Sequence, residues 1–288
     1  MNGKNRKRRS LIWVNVLVEG KLKKAIDSEA DCIVMDLEDT LPIAQKAEGR
    51  EAVVEALQQV DFRGKEKIVR INSLDTPYAM ADLAAVLPAR PDSIRLPKCE
   101  TADQVKRVDA IITSFEQENG LTPGGIGLIL MIETPKGVFN ARELASSSSR
   151  VWAIGIGLED LTTEMGINRR YELGCNQMLF AKQMVVMAAK EAGIQALDSS
   201  TLINDPEFIY KDCRDSRDMG FDGRSMVNVD HVAAIKRGYM PSEEEIYWAN
   251  GVIETYRRTK TLDTEPYYGT LFVDIPVVKK AENILAKI

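Results

Sequence analysis

The sequence predicts an α/β fold, a (β/α)8 TIM barrel followed by a C-terminal helical extension. Three observations point there. Short apolar runs of strand type alternate with stretches of helical spacing about eight times along the chain, with short loops between them. Several of these runs stop abruptly in an acid: Leu128 to Ile132 leads into Glu133-Thr134-Pro135, and Val151 to Ile156 into Gly157-Leu158-Glu159-Asp160. In a parallel barrel such strand ends open onto one common mouth. Finally, no G-x-G-x-x-G follows the first strand, which argues against the doubly wound dinucleotide-binding sheet that would show the same alternation.

In chain order, Leu11 to Val16 reads as the first strand and Leu22 to Ser28 as a helix. Cys32 to Met35 is the next strand, running into Asp36-Leu37-Glu38-Asp39, and Ala44 to Leu57 has helical spacing after Pro42. The pattern repeats with strand Lys67 to Ile71, helix Tyr78 to Leu87, strand Ser93 to Leu96 and helix Ala102 to Glu116. Strand Ile126 to Ile132, helix Val138 to Ala145, strand Val151 to Ile156 and a long helix from Asn176 to Ala192 follow. Gln195 to Leu197, a helix over Glu207 to Asp218, and Gly223 to Val227 complete the count. Gly124-Gly125-Ile126-Gly127 opens a strand and reads as a turn.

The expected domain organisation is a flexible basic arm over residues 1–9, the barrel over 10–240 and an extension over 241–288. In that extension Ser242 with Glu243-Glu244-Glu245 is a good helix start for Ile246 to Tyr256, and a last helix ends near Ile288. A barrel closes without such a tail, so the tail is a candidate lid or an arm packing on a neighbouring subunit.

The 288 residues are 44% hydrophobic and 28% charged, with a net charge of −5. That balance offers no field to gather nucleic acid or an anionic membrane, and no apolar run is long enough to span a bilayer. A cytoplasmic protein is expected. The four cysteines, Cys32, Cys99, Cys175 and Cys213, lack C-x-x-C spacing and read as reduced and packed. His231 is the only histidine, so acid/base chemistry must come from carboxylates, Lys, Tyr or Cys.

The polar residues at the strand ends are the candidates for chemistry: Asp36, Glu38 and Asp39 after the second strand, Arg70 and Asn72 after the third, Lys98 after the fourth, Glu133, Asp160, Asp198 and Asn228 after the last four. So many carboxylates around one cavity call for a bound cation. Oxygen ligands without imidazole or thiolate favour Mg2+, with Glu133 and Asp160 as its ligands. Asp36 or Glu38 would hold metal-bound waters or cap the following helix. Arg70 suits a bidentate grip on a substrate carboxylate or an internal pair with Asp36 or Glu38. Lys98 reaches substrate or holds a neighbouring acid, and Asp198 reads as a structural acid.

The strings D-L-E-D at Asp36 to Asp39, V-R-I-N at Val69 to Asn72, R-L-P-K at Arg95 to Lys98, I-E-T-P-K-G-V-x-N-A-R-E at Ile132 to Glu143 and G-L-E-D-L at Gly157 to Leu161 resemble the citrate lyase β-subunit family. G-F-D-G at Gly220 to Gly223 and P-S-E-E-E at Pro241 to Glu245 do so too. This family groups with malyl-CoA and citramalyl-CoA lyases. The resemblance implies a Mg2+-dependent carbon–carbon lyase, a homotrimer or hexamer, acting on a CoA or acyl-carrier thioester and a 2-oxo acid. It places metal ligation on Glu133 and Asp160 and a catalytic, substrate-binding role on Arg70. It also places an acid/base role on Asp274 of V-D-x-P, delivered to an adjacent subunit. With Glu38 as a further catalytic acid and Asn72, Asp36 and Lys98 as substrate contacts, these make up the expected site.

Two loops depart from the family pattern. Asn15-Val16 stands where relatives carry Pro-Gly, and Asn228-Val229 where they carry His-Pro or Asn-Pro. Two alternatives therefore stay open: a metal-dependent aldolase on free hydroxy-oxo acids without CoA, and a catalytically idle subunit of a larger complex.

Overall fold

Eight parallel strands close into a barrel in sequential order: β1 (Ser10–Val14), β2 (Cys32–Asp36), β3 (Glu66–Arg70), β4 (Ser93–Leu96), β5 (Gly127–Ile132), β6 (Val151–Ile156), β7 (Gln195–Asp198) and β8 (Gly223–Met226). Closure is made by β1 against β8, with Leu11 opposite Ser225. The computed structural model describes residues 3–171, 176–262 and 265–288, so Cys175 lies outside the described residues. The chain divides into two units, Met1–Lys236 and Arg237–Ile288, a boundary slightly ahead of the one expected at Pro241.

Helices α1 (Lys21–Asp27), α2 (Lys46–Gln59), α3 (Ala79–Val86) and α4 (Ala102–Glu118) link the first five strands. The helix expected over Val138 to Ala145 is two short ones, α5 (Pro135–Phe139) and α6 (Ala141–Ser146). They break at Asn140, whose side chain donates to the Glu100 carbonyl at 2.8 Å. Thr134 caps α5 by accepting from the Gly137 N–H at 3.0 Å, so the chain leaves Glu133 straight into a helix. A further helix, α7 (Leu158–Glu164), follows β6 where the sequence predicts no element. Then come α8 (Leu179–Glu191), α9 (Pro206–Met219) and α10 (Val232–Tyr239). Gly127 opens β5 for a packing reason beyond a turn: a Cβ there would lie 2.1 Å from the Trp152 ring.

Period-two alternation sends every second strand residue into the barrel and stacks them in layers. The middle layer is apolar: Leu11, Val34, Ile68, Ile129, Ala153 and Leu197 are all fully buried. Below it, at the amino-terminal strand ends, the interior turns polar. Arg8 is fully buried there, 2.7 Å from Glu66 and donating to Gln195 at 2.6 Å, while the Ser93 hydroxyl donates to Glu66 at 3.1 Å. The expected solvated arm is thus corrected: Gly3–Asn5 form a 3-10 turn and Arg8 stoppers the lower end of the barrel. A buried guanidinium needs such a partner, because an unpaired charge in the interior is costly. Three cysteines, Cys32, Cys99 and Cys213, are free thiols and buried.

In the second unit, α11 runs over Glu243–Leu262, longer than expected. Ser242 and Glu245 form the reciprocal box that starts it, the Glu245 N–H donating to the Ser242 hydroxyl at 3.2 Å and the Ser242 N–H to the Glu245 carboxylate at 2.7 Å. A two-stranded hairpin, β9 (Tyr267–Tyr268) and β10 (Leu271–Phe272), precedes α12 (Ile275–Leu285). Ala249, Val252, Val273, Val278 and Ala281 form this unit's own core.

Candidate active site

The upper layer of the barrel carries Trp13, Asp36, Arg70, Arg95, Met131 and Ser225, and above it the strand ends of β5 and β6 deliver Glu133 and the Gly157-to-Asp160 turn. Trp13, Arg70, Met131, Glu133, Asp160 and Ser225 line one cavity of 220 Å3. This is the convergence that the two acid-ended apolar runs lead one to expect.

Arg70 is 7% exposed and is held from three sides. Asp36 takes it bidentately, Nε to Oδ1 at 2.6 Å and Nη2 to Oδ2 at 2.7 Å. Its Nη1 lies 2.8 Å from Glu38 and 3.0 Å from Asp39. Burial opposes the guanidinium charge, yet the three acids raise its pKa above the ordinary arginine value. Asp36 also accepts from the Glu38 and Thr40 N–H groups, at 3.0 and 3.1 Å. Its oxygens are therefore committed within the chain, and the expected substrate contact by Asp36 is corrected to a clamp that aims Arg70. Asn72 is corrected likewise: its amide donates to the Leu37 carbonyl at 2.9 Å and to Asp82 at 2.6 Å, fastening the Asp36-to-Asp39 loop to α3. Lys46, which the spacing did not single out, supports the same loop by donating to the Leu37 and Glu38 carbonyls at 2.8 and 2.6 Å.

Glu133 is 1% exposed, with Oε1 accepting from the Lys98 N–H at 2.8 Å. Lys98 sits at φ 49°, a left-handed turn that folds the Pro97-Lys98 loop back over the strand end. Its ammonium stands 3.6 Å from Glu38 and 3.8 Å from Asp160. Lys98 thus occupies the middle of an acidic ring, its pKa raised by Glu38 and Asp160 against the effect of burial. The acids remain under-neutralised. Burial pushes Glu133 up to about 7, with the Asp160 charge adding to the rise, and burial pushes Glu38 up to about 8 even beside Arg70.

A divalent cation fits that ring chemically. Among the described residues no three or more acidic, histidine or cysteine side chains converge as a closed metal cage. Two carboxylates on one cavity, with no nitrogen or sulfur donor, suit Mg2+, which is commonly held by one or two carboxylates with water and substrate completing its shell. Gly157 is required by the same geometry. A Cβ there would lie 2.4 Å from Glu133 Oε2, although the backbone angles would tolerate any residue. Gly157→Ala is therefore expected to displace the carboxylate and lower turnover about hundredfold, measured by steady-state kinetics, with little change in melting temperature.

Asp198 pairs with Lys182 at 2.9 Å, both buried, as a structural acid should. His231 is buried, with Nε2 2.9 Å from the Asn204 side-chain oxygen, and does not line the cavity. Asp274 belongs to the second unit, where it is exposed and caps α12 by accepting from the Val277 N–H at 3.1 Å. Trp13 and Arg95 were missed from the sequence; the available signal was a large or charged residue at an inward position near the end of an otherwise apolar strand.

A profile of the HpcH/HpaI aldolase/citrate lyase family matches residues 9–229, most of the chain and all of the barrel strands. The chain belongs to this family. As a member of the HpcH/HpaI aldolase/citrate lyase family it is an enzyme of the carbon–carbon lyase class, similar to citrate lyase β subunits. It is 37% identical to the citrate lyase subunit beta of Leuconostoc mesenteroides subsp. cremoris, over 97% of this chain and 93% of that protein. It is 28% identical to the human mitochondrial citramalyl-CoA lyase, over 96% of this chain and 84% of that protein. Among solved structures, a citrate lyase beta subunit from M. tuberculosis complexed with oxaloacetate and magnesium superposes with a TM-score of 0.68 at 25% identity, covering 84% of this chain and all of that one. No helix among the described residues is long and apolar enough to cross a membrane.

Proposed function

We propose that the protein is a Mg2+-dependent lyase that cleaves or forms a 3-hydroxy-acyl thioester of the citryl, malyl or citramalyl type, from a thioester and a 2-oxo acid. The observation that carries this reading is the joint presence of Glu133, Asp160 and the clamped Arg70 on one cavity of 220 Å3. The names of the relatives support it, a citrate lyase subunit and a citramalyl-CoA lyase, as does the relative bound to oxaloacetate and magnesium.

Glu133 and Asp160 would hold the metal, which when bound supplies Lewis-acid polarisation of the oxo acid. The chain's own residues do the rest. Asp36 fixes the plane of Arg70, whose outer edge, shared with Glu38 and Asp39 in the free protein, turns to negative charge developing on the substrate. Lys98 balances the acids around it and contacts the oxo-acid carboxylate. Glu38, within reach of Arg70 and Lys98, holds a proton next to the cavity and can release it. Asp274 moves the proton at the thioester carbon or the hydroxyl from a neighbouring copy in a cytoplasmic homotrimer or hexamer. Support for that arrangement is the apolar surface beside it: Phe272 is 51% and Ile275 58% exposed. At the first loop the Asn15 amide donates to the Thr40 carbonyl at 2.8 Å, so the turn that replaces Pro-Gly is ordered beside the mouth and available to an acyl carrier.

The test is thermal denaturation with Mg2+ and oxaloacetate, pyruvate or glyoxylate, with and without acetyl-CoA. Stabilisation by Mg2+ and oxo acid, increased again by the thioester, is the expected result. A response to oxo acid that the thioester does not change would favour an aldolase on free acids, and no response to any of them would favour an idle subunit.

A further inference from the structure

Arg95 is the residue this function leaves unused. It lies on β4 in register with Arg70 on β3, it is 1% exposed, and among the described residues no carboxylate forms an ion pair with it. Its Nε and Nη2 both approach the Met131 sulfur, at 2.9 and 2.7 Å, and Nη2 also donates to the Ser225 hydroxyl at 3.1 Å. Its Nη1 has no hydrogen-bond partner. A thioether is a weak acceptor, so most of this guanidinium's donor capacity is unspent. Beyond the longer-range charges of Glu133 and Asp36, it packs against the face of Trp13, 4.4 Å from the guanidinium carbon, and that ring is shared with Arg70 at the same distance. Of the two cations stacked on this indole, Arg70 is ion-paired with carboxylates and Arg95 is not. Burial, with the neighbouring Arg70 charge, accordingly depresses the Arg95 pKa to about 9.

The side chains that touch this guanidinium, Met131, Ser225 and Trp13, are all cavity-lining residues. Arg95 therefore lies directly beneath the floor of the cavity, and the acidic ring for the metal lies at its rim. A small substrate spanning the two needs an anionic group at each end. We propose that Arg95 is a specificity residue: its unspent N–H groups, with the Ser225 hydroxyl, receive a second carboxylate, so that the site selects a dicarboxylic 2-oxo acid over a monocarboxylic one. This rests on the lyase reading above and adds to it the residue that reads the far end of the substrate. The thioether of Met131 turns aside to admit the carboxylate, a movement its three rotatable bonds permit.

The experiment is a titration in Mg2+ with oxaloacetate and, separately, pyruvate, followed by tryptophan fluorescence, on the wild-type protein and on Arg95→Met and Arg95→Lys. The wild type is expected to bind oxaloacetate at least about tenfold more tightly than pyruvate, the scale of one charge-assisted contact. Arg95→Met should abolish that preference and leave pyruvate affinity unchanged, and Arg95→Lys, which keeps the charge and loses the fork, should retain part of it. A preference that survives Arg95→Met, or an equal loss for both acids, would overturn the assignment while leaving the lyase reading intact. If the wild type binds neither acid, the lyase reading itself fails. Should Arg95→Met not fold, equal wild-type affinities for the two acids would still overturn the inference, and reduced preference in Arg95→Lys would sustain it.

Discussion

Glu133→Gln is expected to reduce turnover at least about thousandfold and, in the same protein, to raise the melting temperature at pH 8 without metal. The opposite signs come from one cause. The Glu133 carboxyl is 1% exposed and its pKa is raised from 4.5 to about 7. An acid whose folded pKa lies above its unfolded one destabilises the fold: the penalty is absent below about 4.5, grows as pH rises to about 7, and is full above it. Glutamine removes that penalty, and its side-chain oxygen can still accept from the Lys98 N–H. The lost charge is one of two that the metal reading needs, so stabilisation by Mg2+ should vanish with activity. Calorimetry with and without Mg2+, alongside a turnover assay, separates the possibilities. A variant that keeps its Mg2+ shift would show that the ion sits elsewhere.

Asp198→Asn should cost about 3–5 kcal/mol, which for a unit of this size is roughly 10 °C in melting temperature. Asp198 and Lys182 side chains are 0% and 3% exposed, at 2.9 Å, joining β7 to α8. Burial opposes the Asp198 charge, but Lys182 and Arg224 overcome it and hold its pKa at about 2, below the usual 3.8. With the folded pKa depressed, the stabilisation is complete above 3.8 and is lost as pH falls through about 2. The asparagine variant leaves a buried ammonium without its counter-charge at every neutral pH. Asp198→Leu combined with Lys182→Met should recover most of the loss, since a well-packed apolar pair often replaces a buried ion pair at little cost. Denaturant titration of the single and double variants measures both, and an Asp198→Asn protein as stable as the wild type would mean that Lys182 finds water.

The barrel and the meeting of Glu133 with Asp160 at one cavity were legible because both depend on local pattern: a buried strand must be continuously apolar, and a residue that ends it in charge must emerge at a mouth. What stayed illegible depends on partners far away in the chain. Arg8 reads as part of a solvated basic run because Glu66, 58 residues on, is what makes its burial tolerable. Asn72 and Asp36 look like substrate contacts until their hydrogen bonds to Asp82 and Arg70 are seen to use their polar atoms. Arg95 hides for the opposite reason: a lone cation in Ser93 to Leu96 reads as the outward member of an alternation, and only barrel closure shows that it faces Ser225, 130 residues later.

Below the cavity the barrel is shut twice, by its fully buried middle layer and by Arg8 with Glu66 and Gln195 beneath it. Under the lyase reading proposed above, a small acid seated against that floor would load ahead of a bulkier acyl carrier above it and depart after it. Order of arrival in that reaction would then be set by a packed floor, well away from any bond being made or broken.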